Sequence, residues 1–172
     1  MKLPLLLMLS ASGVCLSAGS FDARAAITTV TEANPAVGVC QAARSANEGA
    51  LRKRPMGVQN EGPSTVFVSC GLHGNGPAEG IGPYTSEVSF ILLNIGTTPA
   101  TVNCTAIDTA AHIIGATRSI TVMPGQTPLL TFVGTDIASN RQWFSPAFSC
   151  SLAPGAGISE VWHHFAQQIS PS

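Results

Sequence analysis

Charge is scarce in this chain. Charged residues fill 10% of its 172 positions, and the formal net charge is -1. An average globular protein carries roughly 25%. A nucleic-acid binder needs a basic surface, and this balance does not supply one. A charged disordered tail needs a charge density the chain does not reach. Several chemical signatures are missing as well. There is no G-x-S-x-G elbow for a serine nucleophile and no acidic loop of the EF type for calcium. No C-x-x-C pair marks a zinc or redox site. Aromatic residues are few, with 2 Trp, 1 Tyr and 7 Phe. After the N-terminus no apolar run reaches the ~20 residues that span a bilayer.

What is present begins with a targeting signal. Lys2 gives a positive start, and Leu3, Leu5, Leu6, Leu7, Met8 and Leu9 open an apolar stretch that runs to about Leu16. Small residues follow, and Ala23-Arg24-Ala25 has the A-x-A form of a signal-peptidase site. A second candidate site follows Ala18-Gly19-Ser20. Cys15 raises a lipid anchor, but Ser12-Gly13-Val14 before it lacks the matching pattern. The expected organisation is a signal peptide over 1–25, a flexible arm over 26–36 and one β-domain over 37–168. The expected location is secreted or periplasmic.

Four cysteines then remain: Cys40, Cys70, Cys104 and Cys150. In an exported chain an even number reads as two disulfides. Four cysteines allow three connectivities. The segments 100–108 and 146–152 both carry a cysteine on an apolar face, which favours Cys104 with Cys150 inside the core and leaves Cys40 for Cys70.

The body reads as strands. Alternating apolar residues mark 64–70, 100–108, 116–122, 127–133, 146–152 and 158–165. The run 86–95 is apolar on both faces over its second half, as a central strand requires. Asn94-Ile95-Gly96 and Pro124-Gly125 are turn signals. Helical periodicity is weak, with one candidate short helix over 42–51. Residues 44–62 and the glycine-rich 71–83 read as loops. This pattern predicts an all-β fold: a two-sheet antiparallel β-sandwich, immunoglobulin-like or jelly-roll-like, with two disulfides.

Candidate chemistry is sparse. The glycines of 71–83 run into a strand rather than a helix N-terminus, so they do not suit a phosphate cradle. His73, His112, His163 and His164 show no metal-ligand spacing, and adjacent strand residues such as His163 and His164 face opposite ways. No cofactor or metal is expected. Glu87 and Glu160 lie in strands and are the carboxylates placed to oppose one another. Without a matched catalytic constellation the chain reads as non-enzymatic. The run Arg52-Lys53-Arg54-Pro55 reads as a solvated loop or a contact for an anionic surface. Arg141, Trp143 and Phe144 form a candidate ligand contact, because an exposed indole offers a flat apolar face to a sugar ring. Trp162 is the weaker candidate of the two tryptophans.

The stretches Val102-Asn-Cys104, Met123-Pro-Gly125 and Phe148-Ser-Cys150-Ser-Leu-Ala-Pro-Gly155 resemble a group of small exported bacterial proteins with two disulfides in a β-sandwich. In that group a V-x-C strand precedes a C-S-L-P-P-G-type strand and turn. Here Ala153 stands in place of the first proline. The resemblance covers residues 37–165. Residues 88–132 also resemble immunoglobulin-like extracellular modules. Neither resemblance implies an activity. The functional expectation is an exported binding or surface-structural sandwich with an unknown protein or glycan partner. The alternatives are a carbohydrate-binding module and a surface-fibre or adhesin subunit that donates its N-terminal arm.

Overall fold

The computed structural model describes residues 26–73, 85–109, 111–136 and 143–169. The expected signal segment, most of the glycine-rich loop and Arg141 lie outside the described residues. Two antiparallel sheets pack face to face. The strands are β1 (Ala26–Pro35), β2 (Cys40–Ala42), β3 (Leu51–Arg54), β4 (Gly57–Asn60), β5 (Val66–Gly71), β6 (Thr85–Asn94), β7 (Ala100–Asp108), β8 (Ile113–Val122), β9 (Leu129–Val133), β10 (Pro146–Leu152) and β11 (Ala156–Ile169). One sheet runs β3-β4-β11-β6-β9, with β1 paired to the later part of β11. The other runs β2-β5-β10-β7-β8. No helix among the described residues is long and apolar enough to cross a membrane.

Alternation builds the core. From the five-stranded sheet Val66, Val68, Val102, Ala106, Phe148 and Leu152 point inward and are buried. From the six-stranded sheet Val58, Val88, Phe90, Leu92, Phe132, Ile158 and Val161 meet them. Phe90, Phe132, Phe148 and Trp143 form the aromatic centre, with ring centroids 4.9 to 6.4 Å apart and mostly edge-to-face. Such contacts add about 0.5–1.5 kcal/mol per pair beyond area burial.

The disulfides are Cys40–Cys70 and Cys104–Cys150. Each joins residues directly opposite one another on neighbouring strands, β2 with β5 and β7 with β10. Both bridges therefore stiffen the five-stranded sheet rather than tie one layer to the other. The layers are held by packing, by the Arg118–Asp136 ion pair at 2.7 Å and by two asparagines. Asn60 ends β4 and Asn94 ends β6, each beginning an Asn-x-Gly turn. Asn94 Nδ2 donates to Thr98 O and to Val122 O, both at 2.8 Å, and its Oδ1 accepts from Gly96 N at 2.8 Å. Asn60 repeats the arrangement with Ser64 O at 2.8 Å, Leu152 O at 2.9 Å and Gly62 N at 2.9 Å. Each amide thus clasps its own turn and the last residue of a strand in the opposite sheet. Gly155, at φ +83°, completes this end of the sandwich: its N–H donates to Asn60 O and its carbonyl accepts from Ile95 N, both at 2.9 Å.

The N-terminal third differs from expectation. Residues 26–36, expected as a flexible arm, contain β1 (Ala26–Pro35), held along ten pairs by β11. The arm is thus used within its own chain. Residues 44–62, expected as a loop with a short helix, hold a one-turn 3-10 segment (Ser45–Asn47) and the β3–β4 hairpin. The hairpin escapes a hydrophobicity reading because β4 is buried while polar: Gln59 and Asn60 are both inside. Gly57 lets β4 approach β11, since a Cβ there would sit 2.1 Å from Ile158 O. The cationic run is β3, an edge strand. Arg54 makes a two-point ion pair with Glu61 at 2.7 and 2.8 Å, and Lys53 Nζ donates to Val37 O at 2.8 Å.

Candidate functional site

The two outward sheet surfaces differ in chemistry, and a bulge in β11 decides what the first presents. Simple alternation would set Ile158 on the same side as Glu160, Trp162 and His164. The register against β6 instead shifts between Ile158 and Glu160. The extra residue, Ser159, turns Ile158, Val161 and His163 inward and Glu160, Trp162 and His164 outward.

Trp162 sits near the middle of this outer surface. Its cross-strand neighbours are Ala33 on β1 and Ser89 on β6, with Thr131 of β9 next to Ser89. These are small residues beside a large, half-buried indole. The indole Nε1 donates to Glu160 Oε2 at 2.8 Å, which fixes the ring plane. Toward the next row a polar chain crosses four strands. Thr31 Oγ1 bonds His164 Nδ1 at 2.9 Å. His164 Nε2 lies 3.9 Å from Glu87 Oε1. That carboxylate accepts from Ser89 Oγ at 3.1 Å, and Ser89 bonds Thr131 Oγ1 at 2.7 Å. The surface thus places the Trp162–Glu160 pair beside a polar chain of one imidazole, one carboxylate and three hydroxyls.

Behind it, His163 is buried on the inner side. Its Nε2 bonds Thr85 Oγ1 at 2.6 Å, and its ring lies against Phe165 at 4.9 Å. Burial lowers its pKa below the usual imidazole value; Glu32 opposes this and His164 adds to it. The two adjacent histidines do face opposite sides.

The outer surface of the five-stranded sheet is hydroxylic. Thr101, Asn103 and Thr105 of β7 pair with Thr121, Ser119 and Thr117 of β8. Ser149 and Ser151 of β10 continue these rows to Ser69 and Phe67 of β5. Two pairs of these groups bond one another, Thr105–Thr117 at 2.8 Å and Asn103–Ser151 at 3.2 Å. The Arg44 guanidinium stacks over Phe67 at 5.2 Å.

Of the contact residues chosen from the sequence, Trp143 and Phe144 are described and Arg141 lies outside the described residues. Trp143 is 1% exposed, packed against Phe132 and Phe148, and its backbone bridges Thr85. The bridge to Thr85 anchors its backbone at the start of β6, and its indole packs between the sheets. Phe144 next to it is 39% exposed. Glu87 and Glu160 do not oppose each other: Glu87 faces His164 and Glu160 faces Ile91. Four residues of strand separate the two positions, about 13 Å. Among the described residues no three His, Cys, Asp or Glu side chains gather as a metal site. Trp162 had a readable signal, namely polar residues at 160 and 164 on its own face, but Ile158 at the start of the run masked it.

No protein-family pattern matches the sequence, and no curated protein is significantly similar to it. Solved structures with a similar fold include TmCBM61 in complex with β-1,4-galactotriose, at 10% identity, covering 82% of this chain and 88% of that one, with a TM-score of 0.36. The family 11 carbohydrate-binding module from Clostridium thermocellum with a mixed-linked tetrasaccharide is 7% identical, covers 86% and 89%, and scores 0.35. PfGH50B is 11% identical and scores 0.45, over 78% of this chain but 23% of its own. At such identities and scores the likeness carries no functional argument.

Proposed function

We propose that this chain is an exported, non-catalytic β-sandwich that binds glycans on the outer face of its six-stranded sheet. The observation that carries the reading is the half-buried Trp162, held by Glu160 and flanked along β11 by His164 and across it by small residues. An indole plane matches the apolar C–H face of a pyranose ring. Carboxylates beside it accept hydrogen bonds from sugar hydroxyls, and charged acceptors bond more strongly than neutral ones. Glu160 keeps one oxygen for the indole N–H and has a second to offer. Glu87 and His164 serve a neighbouring ring in the same way. The rigid sheet pre-organises these groups, so little ordering cost attends binding. The two buried disulfides fit an oxidising, extracytoplasmic location.

The test is a screen of soluble neutral, acidic and amino oligosaccharides against the oxidised protein, read by the indole N–H resonances of Trp162 and Trp143. The expected result is a ligand-dependent shift of the Trp162 signal with the Trp143 signal unmoved. A protein whose Trp162 signal responds to none of the glycans contradicts the proposal.

A further inference from the structure

The sheet edges differ in how they are closed. A free strand edge presents unpaired N–H and C=O groups and accepts a further strand unless brevity, charge, a bulge or proline blocks it. The edge strand β3 has four residues, and three of them are Arg52, Lys53 and Arg54. β9 has five residues and β2 has three. β8 has ten, but its register against β7 shifts between Thr105 and Ile107, and its Arg118 is tied to Asp136 at 2.7 Å.

β1 is neither short nor bulged, and carries only one charge and a terminal proline. It runs ten residues in unbroken register with β11. Its other edge has no strand partner among the described residues. Glu32 is its one charged residue, and its proline, Pro35, stands at the very end. We infer that β1 is a self-pairing edge: two copies of this chain join antiparallel, β1 to β1, across a twofold axis perpendicular to the sheet.

Register follows from side-chain chemistry. Residues opposite one another in an antiparallel pair point to the same face, so a symmetric register centres on a single residue. Centring on Glu32 opposes two carboxylates. Centring on Thr31 sets Glu32 against Val30. Centring on Val30 sets Val30 against its own copy, Thr31 against Thr29 on both sides, and Glu32 against Thr28. Cross-strand pairs of threonines or β-branched residues are favourable, and like charges directly opposed are not. The Val30-centred register is therefore the favoured one. Thr29, Thr31 and Glu32 are exposed in the single chain, and Thr28 and Val30 are partly so. The axis also sets both Trp162 surfaces on the same side of one continuous sheet. The inference rests on the strand edge and stands apart from the glycan reading.

Sedimentation over a concentration series tests it, using the disulfide-bonded protein, Thr28→Glu and Thr28→Lys, with circular dichroism confirming the fold. Thr28→Glu sets a carboxylate against Glu32 of the second copy at two symmetric places; Thr28→Lys sets an ammonium there. The dimer Kd is expected to weaken with glutamate and tighten with lysine, each by roughly two- to thirty-fold. A chain that is monomeric up to millimolar concentration overturns the inference. So does a dimer whose Kd ignores both substitutions.

Discussion

Trp143 and Trp162 belong to the two sides of one six-stranded sheet. Trp143 lies between the layers, 1% exposed, with Phe132 and Phe148 around it. Trp162 lies on the outer surface, held by a hydrogen bond to Glu160. The same residue type thus does two jobs, core packing and surface presentation. What separates the jobs is the direction the strand gives each side chain. Trp143 sits in a run, Arg141 to Phe144, that resembles an exposed binding tip. Trp162 sits in a run rich in apolar residues that resembles a core strand.

Substitutions separate the two sides, beginning with the largest effect. Trp143→Ala should cost about 3–5 kcal/mol of folding free energy, the usual result of emptying a large core site. Chemical denaturation checks it, and Trp162→Ala should cost far less in the same assay. Replacing Cys104 and Cys150 with serine should cost about 2–4 kcal/mol, through the freedom regained by the unfolded chain. That loss should appear under reducing conditions in the unsubstituted protein too. Asn94→Ala removes a buried amide that bonds both layers, and should cost about 1–3 kcal/mol by leaving backbone groups unpaired. Asn60→Ala should behave alike, which would show that the two asparagines are equivalent clasps.

A smaller effect concerns pH. Burial holds the pKa of His163 below its unfolded value. The unfolded chain therefore takes up a proton that the folded chain refuses. Stability contributed by neutral His163 is present above the ordinary imidazole pKa of about 6.5 and falls as pH drops below it. Thermal unfolding between pH 7.5 and 5 should show this decline, and His163→Gln should flatten it.

Much of the sandwich was legible from alternation. The strands β5, β7, β9 and β10 show apolar residues at alternate positions over most of their length, and burial follows that pattern at Val66-x-Val68-x-Cys70 and Phe148-x-Cys150-x-Leu152. The edges were harder to read. β4 is a buried strand made of Gly57, Val58, Gln59 and Asn60, where hydrogen bonding and close backbone approach replace hydrophobicity. β1 gains its order from β11, a partner more than a hundred residues away in sequence, so no local signal marks it. The candidate site was concealed by one bulge: Ser159 resets the faces of β11, and a reading by strict alternation groups Ile158 with Trp162. A polar pair at Glu160 and His164 was the clue that the second half of the strand turns its indole to solvent.

The central claim is that the outer Trp162 surface is where a glycan binds. Isothermal titration of the best glycan from the screen into the unsubstituted protein, Trp162→Ala and Phe67→Ala tests it most directly, since Phe67 is the exposed aromatic on the opposite outer surface. Affinity should fall at least roughly tenfold in Trp162→Ala, about 1.4 kcal/mol, and stay unchanged in Phe67→Ala. Unaltered affinity in Trp162→Ala, or a loss confined to Phe67→Ala, would contradict the claim.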